Sequence, residues 1–306
     1  MIGRYNEIRD RIVVLENEYD SNLTCVVLEE GLVFIDTGRR IDLAAKFRED
    51  MEKRFNRKTS HLLITHYHFD HYGAMSVFKD VEIVAAEAGY GDFSVALQTY
   101  LTKENREETV RAWKEEVESN NIEVAPGRLL HWEHYPKNDI FLPTKVVNHK
   151  QILGGENEKI IFQVTGGHSK CSAFVYIPSE EVIHVSDNLA TDPNGNDGVF
   201  LGYSIFFYRP GVCKKTIDIL EGIAELPVTT VIPGHGPVVS KDQVIRITQF
   251  LRKLDTIIRT SIEKKQTLGG LLADSRLNNF YKTRPEYWTT IIERQYNLIS
   301  EEIIKK

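Results

Sequence analysis

An α/β fold built on two sheets is predicted by three features of the chain. Apolar runs rich in β-branched residues fall in two blocks, at 11–35 and 145–185. Within each block, short turns join the runs, as in a meander. Amphipathic helical patterns lie between the blocks and after them.

The first block reads as strands at 11–16, 23–28 and 32–35, separated by Asn/Asp/Ser and Glu-Gly turns. Residues 41–55 then carry helical periodicity through Leu43, Phe47 and Met51. The apolar run Leu62-Leu63-Ile64 is a buried strand leading into Thr65-His66-Tyr67-His68-Phe69-Asp70-His71-Tyr72-Gly73. Residues 87–143 change character and are read as an insertion. Its charged part, 102–119, sets Val110, Trp113 and Val117 at helical spacing, so a narrow buried stripe is expected. Tyr90, Phe93, Tyr100, Trp113, Trp132, Tyr135 and Phe141 crowd this segment and are expected to pack it against the body.

The second block predicts strands at 145–153, 159–164, 172–177 and 182–185, followed by a helix at 214–225 and a strand at 228–232. Ser240-x-x-Gln243 is a capping box opening a helix with Val244, Ile247, Leu251, Leu254 and Ile258 on one face. A last helix is expected from Pro285, with Trp288, Ile292, Tyr296 and Ile299 along a face. The domain reading is a main unit over 1–239 and a helical extension over 240–306.

With 42% hydrophobic and 27% charged residues, the 306-residue chain has the composition of a globular protein. A net charge of −6, with both signs interspersed, argues against a nucleic-acid or anionic-membrane surface. No apolar run reaches membrane-spanning length and no secretory h-region opens the chain, so the cytoplasm is the expected compartment. Cys25, Cys171 and Cys213 are odd in number and read as free thiols; Cys171, three residues past His168, is expected to be a small packing residue.

Three histidines and an aspartate within six positions, directly after a strand, are a metal-site pattern. Imidazole and carboxylate together suit zinc, iron or manganese. In an extended loop, alternation would turn His66 and His68 towards one ion while Asp70 and His71 reach another. Further candidates stand at strand ends: His168 after Gly166-Gly167, Asp187 after His184-Val185-Ser186, and His235 within Pro233-Gly234-His235-Gly236, whose glycines would let the backbone come close to an ion. Asp36 ends a strand; it could cap a helix, ligate, or stand behind the histidine loop and orient it, the reading favoured here. His131 and His134 have no clear partners for a metal and are read as surface or lid residues.

The ordered set His66-x-His68-x-Asp70-His71, Gly-Gly-His168, Ser-Asp187 and Pro-Gly-His235-Gly resembles the metallo-β-lactamase superfamily, in its glyoxalase II-like dinuclear form, over roughly residues 11–240. The resemblance implies a four-layer αβ/βα sandwich with a dimetal site at one edge of the sheets. By position His66, His68 and His168 would hold one ion and Asp70, His71 and His235 the other, with Asp187 bridging. Lactamases of this fold typically lack the bridging aspartate, whereas hydrolases of thioesters, lactones and phosphodiesters keep it.

The implied activity is hydrolysis by a hydroxide shared between two divalent ions, most simply zinc, with Asp70 handling a proton. The substrate would be a small molecule carrying an ester, thioester, lactone or phosphodiester bond. β-Lactamase-like or nuclease activity and a non-hydrolytic iron-dependent oxygenase are the alternatives. The segment after Asp187 lacks the Cys-Gly-Lys-Phe type of stretch used for glutathione. Tyr203, Phe207 and Arg209, beside Phe206 and Tyr208, are candidate substrate contacts, as are Lys282, Arg284 and Tyr287. The insertion is expected to act as a lid or a dimer interface, and a homodimer is one expected assembly.

Overall fold

Seven strands run in sequence order across the first sheet: β1 (Arg4–Arg9), β2 (Ile12–Glu16), β3 (Leu23–Leu28), β4 (Gly31–Ile35), β5 (Thr59–Leu63), β6 (Glu82–Ala86) and β7 (Lys145–Val147). The structure is a computed structural model that describes residues 3–17, 19–120, 122–124, 126–191, 212–278 and 285–304. β1 to β4 pair antiparallel, as a meander requires. β4 to β7 pair parallel, so each step needs a crossover. Helix α1 (Ile41–Phe55) makes the first one. It buries Leu43, Ala44, Phe47 and Met51, carries Asp42 in its first turn and Lys53 and Arg54 in its last, and stops at Asn56 in a left-handed conformation.

The second sheet has the order β13-β12-β11-β10-β9-β8 and comprises β8 (Lys150–Leu153), β9 (Ile160–Val164), β10 (Ala173–Ile177), β11 (Val182–Ala190), β12 (Thr230–His235) and β13 (Val239–Ser240). The β11–β12 pair is parallel, bridged by α6 (Val212–Glu225) after the segment 192–211.

The runs in β2 to β4 are apolar at almost every position because both faces are covered. Ile12, Val14, Val26, Val33 and Ile35 point between the sheets and meet Ile160, Phe162, Val175 and Ile177. Val13, Leu15, Cys25 and Phe34 point outward onto Phe47 and Met51 of α1. On the far side, Ile183, Val185 and Val231 of the second sheet pack with Ile217 and Leu220 of α6 and with α7 (Lys241–Glu263), α8 (Leu268–Leu272) and α9 (Pro285–Ile304). The result is the four-layer sandwich that the sequence resemblance implies. Ser240 and Gln243 close the expected capping box on α7.

Four local expectations are corrected. β1 was not foreseen: its residues are polar and its burial is partial, as suits an edge strand that pairs only with β2. The run at 145–153 is two strands in different sheets, because the chain leaves the first sheet after Val147 and enters the second at Lys150. β11 extends past residue 185, so Asp187 lies within a strand, just after a bend at Ser186 (φ 53°). The histidine loop is not extended throughout: α2 (Phe69–Tyr72) is one helical turn, fixed by His71 N donating to the His68 carbonyl and Gly73 N to that of Phe69.

The insertion is helical: α3 (Tyr90–Thr99), α4 (Lys103–Ser119) and α5 (Pro126–His134). The buried face of α4 holds Val110 as expected, but also Arg106, while Trp113 is half-buried. Phe93 stacks on Tyr67 at 4.7 Å and meets Tyr72 at 5.0 Å, whereas Tyr100 is exposed. The insertion thus packs on the side chains that flank the histidines.

Candidate metal centre

The candidate ligands converge from four places. His66, His68, Asp70 and His71 follow β5; His168 sits between β9 and β10; Asp187 lies in β11; His235 ends β12. All are therefore carried at one edge of the two sheets, where backbones fixed by ladder bonds present side chains to a common point.

They fall into two groups. His66, His68, His168 and Asp187 each offer a ligand atom, and all these atoms lie within 4.8 Å of one another; Asp70, His71 and His235 do the same. His68 Nδ1 and His168 Nε2 are 2.9 Å apart. Asp187 Oδ2 stands 3.7 Å from His66 Nε2 and 3.6 Å from His168 Nε2. Its other oxygen, Oδ1, stands 3.1 Å from His71 Nε2 and 3.4 Å from His235 Nε2. One carboxylate thus turns an oxygen to each group. Nitrogens and oxygens about 2.0–2.2 Å from a shared tetrahedral ion stand roughly 3.3–3.6 Å apart, so these spacings match ligand sets.

The unpaired atoms make the same point. His66 Nε2, His71 Nε2 and Asp187 Oδ1 are buried and form no hydrogen bond. A buried polar atom left so costs about 1–3 kcal/mol, and three facing one another call for a bound cation. The residues present therefore fit a metal pair.

The opposite edges of the imidazoles are held. Asp36, at the end of β4, is fully buried with φ 58°. Its Oδ1 accepts from Thr65 N at 2.8 Å, and its Oδ2 accepts from Thr65 Oγ1 and His71 Nδ1, each at 2.7 Å. The His71 proton is thereby kept on Nδ1 and Nε2 is left for an ion. Asp36 thus hydrogen-bonds both Thr65, which opens the histidine loop, and His71, which is its last histidine. Ser186 Oγ lies 3.2 Å from His66 Nδ1 and 2.7 Å from Thr65 Oγ1. The Asp20 carbonyl receives His235 Nδ1 at 3.1 Å.

Electrostatics divide the site by depth. His66, His71 and Asp187 form a buried floor, while His68 is exposed at the rim. Burial opposes ionisation of Asp187, but His71 and His235 outweigh it and hold the carboxyl well below its usual range. Burial likewise opposes charge on His235, yet Asp187 and Asp70 lift it to about 10. Burial and the neighbouring His71 and His68 push His66 down, so it stays neutral. Positive charge is favoured on His71 and His235, beside the carboxylates, while His66 keeps a neutral lone pair at the floor.

Several supporting residues had no sequence signal of their own. Ser21 Oγ donates to the Asp70 carbonyl, and Asn22 Nδ2 to the carbonyls of Pro233 and Gly236. Arg39 lies 3.2 Å from Asp70 Oδ2. Asn188 Oδ1 accepts from His168 N at 3.0 Å. The stretch 17–22 reads as a polar turn, yet Asp20, Ser21 and Asn22 are buried. The glycines beside His235 make room for protein: a Cβ at Gly234 would meet Asp187 Oδ1, and one at Gly236 the Thr191 carbonyl.

The remaining candidates lie elsewhere. His131 stacks on Tyr135 at 4.7 Å and meets Phe69 at 5.1 Å, joining the insertion to α2. Cys171 is buried beside Ser169. Tyr203, Phe206, Phe207, Tyr208, Arg209, Lys282 and Arg284 fall outside the described residues, as do the side chains of Cys213, Tyr287 and Trp288.

A family model described as the metallo-beta-lactamase superfamily matches residues 17–235. No curated protein matches the chain. Among solved structures, the stereoselective inverting sec-alkylsulfatase Pisa1 from Pseudomonas sp. aligns with a TM-score of 0.61 at 17% identity, over 89% of this chain and 45% of that one. A metallo-beta-lactamase from Pontibacter korlensis aligns at 0.52 and 15% identity, over 82% of this chain and 99% of that one. The metallo-beta-lactamase IND-7 gives 0.53 and 17%, over 81% and 97%. At such identities the likeness is one of fold. No helix among the described residues is long and apolar enough to cross a membrane.

Proposed function

The chain belongs to the metallo-beta-lactamase superfamily, and from that membership we propose that it is a hydrolase with a dinuclear metal centre, acting on a small molecule with an ester, thioester, lactone or phosphodiester bond. The observation that carries this reading is Asp187, whose two oxygens face separate ligand groups. Five imidazoles and two carboxylates form a nitrogen-rich set that suits zinc.

Two divalent ions held there would supply Lewis acidity, lowering the pKa of a water between them and polarising the bond to be cleaved. The protein's part is to fix and orient. Asp36, Ser186 and the Asp20 carbonyl hold His71, His66 and His235 so that each presents Nε2 to the centre. Asp70 is the candidate proton handler. Burial works against its charge, but Arg39, His71 and His235 keep it ionised, so it enters the reaction as an acceptor that can orient the attacking water. The exposed His68 marks the side from which substrate arrives.

Asp187→Ala and His235→Ala test the reading. Each is expected to lose about one metal equivalent by elemental analysis and most turnover on a panel of p-nitrophenyl phosphodiesters, thioesters and lactones. Unchanged metal content and rate in both would overturn it.

A further inference from the structure

Regular alternation along β11 would turn Asp187 away from the centre. Val182 belongs to the layer between the sheets, so His184 shares that face, while Ile183, Val185 and Leu189 pack on the helices of the far side. By the same period Asp187 would join Val185 and Leu189. Its oxygens instead stand against His66 and His168 on one side and His71 and His235 on the other. The change of direction is made at Ser186. There β11 sets His184 opposite Ile232 but Ser186 opposite Pro233, two steps against one, as in a bulge. Ser186 also takes a left-handed φ of 53°, which a residue with a Cβ rarely adopts unless its surroundings hold it.

His184 supplies such a hold. Its side chain is fully buried, and its Nδ1 accepts from Ser186 N at 3.2 Å. Burial pushes its pKa down to about 4, so the ring is neutral. A backbone N–H can only donate, which leaves the lone pair on Nδ1 and the proton on Nε2. That Nε2 is buried and forms no hydrogen bond. The orphan is unfavourable, and a leucine facing the other sheet would avoid it. Histidine at this position therefore serves the bend more than the core. With the bend held, Ser186 keeps its hydroxyl against Thr65 and His66, and Asp187 keeps its place.

We propose that His184 is a positioning residue of the centre: by accepting the Ser186 N–H it holds the bend that turns the Asp187 carboxylate between the two ligand groups. It touches neither substrate nor ion. This rests on the dinuclear reading above only for what Asp187 binds.

Two substitutions separate positioning from packing. His184→Asn keeps an acceptor where Nδ1 stands but leaves a void in the core, whereas His184→Leu fills the core and leaves the Ser186 N–H unpaired. Crystal structures of the chelator-stripped proteins read the position of Asp187 directly, and visible spectra after loading with cobalt(II) read it through the ions. The Asn variant is expected to keep the Ser186 bend, the parent spectrum and a kcat within about threefold on the p-nitrophenyl panel, with a lower melting midpoint. The Leu variant is expected to show the opposite pattern: a midpoint close to the parent's, a relaxed Ser186, an altered cobalt spectrum, and a kcat lower by at least roughly tenfold with KM little changed. If the Leu variant does not fold, His184→Gln, whose oxygen falls beyond the Nδ1 position, takes its place with the same expected structure, spectrum and kcat. A Leu or Gln protein in which Asp187 stays in place overturns the proposal, and so does an Asn protein in which it moves. Uptake of one cobalt ion by the unmodified protein overturns the dinuclear reading instead, and the position of Asp187 in the stripped crystals still decides the role of His184.

Discussion

A Cβ at Gly234 would lie 2.0 Å from Asp187 Oδ1 and 2.8 Å from the Asp187 nitrogen. The backbone there cannot give way, because the Asp187 nitrogen and the Ser186 carbonyl carbon, also 2.8 Å away, belong to β11, which pairs in parallel with β12. Gly234→Ala must therefore push the carboxylate off its position between the two ligand groups. The variant is expected to lose about one metal equivalent and most turnover. Gly222→Ala in α6 is the control: nothing lies within 4 Å of its added methyl, and alanine in a helix is expected to be neutral or stabilising by about 0.5–1 kcal/mol. Elemental analysis of both variants checks this, and full metal content in Gly234→Ala would contradict it. Gly234 also shows what a motif conveys. Pro-Gly-His-Gly announces that glycine is required beside His235, but the crowding that requires it comes from a residue 47 positions earlier in the chain. The same holds for Ser21, Asn22 and Arg39: a side chain's identity is local, whereas its partner is set by how remote loops meet.

The element that delivers the histidine loop is tied down through one carboxylate. Glu52, in the last turn of α1, accepts from Thr59 Oγ1 at 2.8 Å and from Thr59 N at 3.1 Å, and is ion-paired with Arg48 and Lys58, each at 3.1 Å. This fixes the end of α1 to the start of β5. Burial raises the Glu52 pKa, but the Thr59 bonds and the two cations outweigh it and lower it to about 2. The folded value lies below the unfolded one, so the contribution is fully present above about pH 4.5 and is lost as pH falls towards 2. Glu52→Gln is expected to cost about 1–2 kcal/mol at pH 7, after discounting for the solvent that reaches the side chain. The gap from the parent should shrink at pH 3. Urea denaturation at both values checks it; an equal gap at both would assign the cost to packing instead of charge. At this scale legibility followed hydropathy. α1 was readable from Leu43, Phe47 and Met51, and α7 from its capping box, because each signal is local. β1 has no apolar pattern since it is an edge, and the division of 145–153 between sheets depends on which neighbours Val147 and Lys150 find.

Across the whole molecule the centre joins the two sheets. His66, His68, Asp70 and His71 follow β5 of the first sheet, while His168, Asp187 and His235 come from the second. Protein contacts already cross the gap there: Ala173 N donates to the Thr65 carbonyl at 2.9 Å and Asn22 N to the Gly234 carbonyl at 2.8 Å. Ions bound between the groups would add a second set of ties at the same edge. Because the candidate ligands lie as much as 169 positions apart, from His66 to His235, the unfolded chain has no such site. Each ion at about 100-fold excess over its dissociation constant then stabilises the fold by roughly 2.7 kcal/mol. For a chain of this length a few kcal/mol moves the melting midpoint by several degrees, so stripping both ions is expected to lower it by about 10 °C. The fall should come in two steps as chelator strength increases, and restoring zinc should reverse it. Differential scanning calorimetry at one scan rate, with metal content assayed on the same samples, checks the expectation. A midpoint that does not move when both ions have demonstrably left would mean that the sheets are held at this edge by the backbone bonds and the Asn22 contacts without help from the ions.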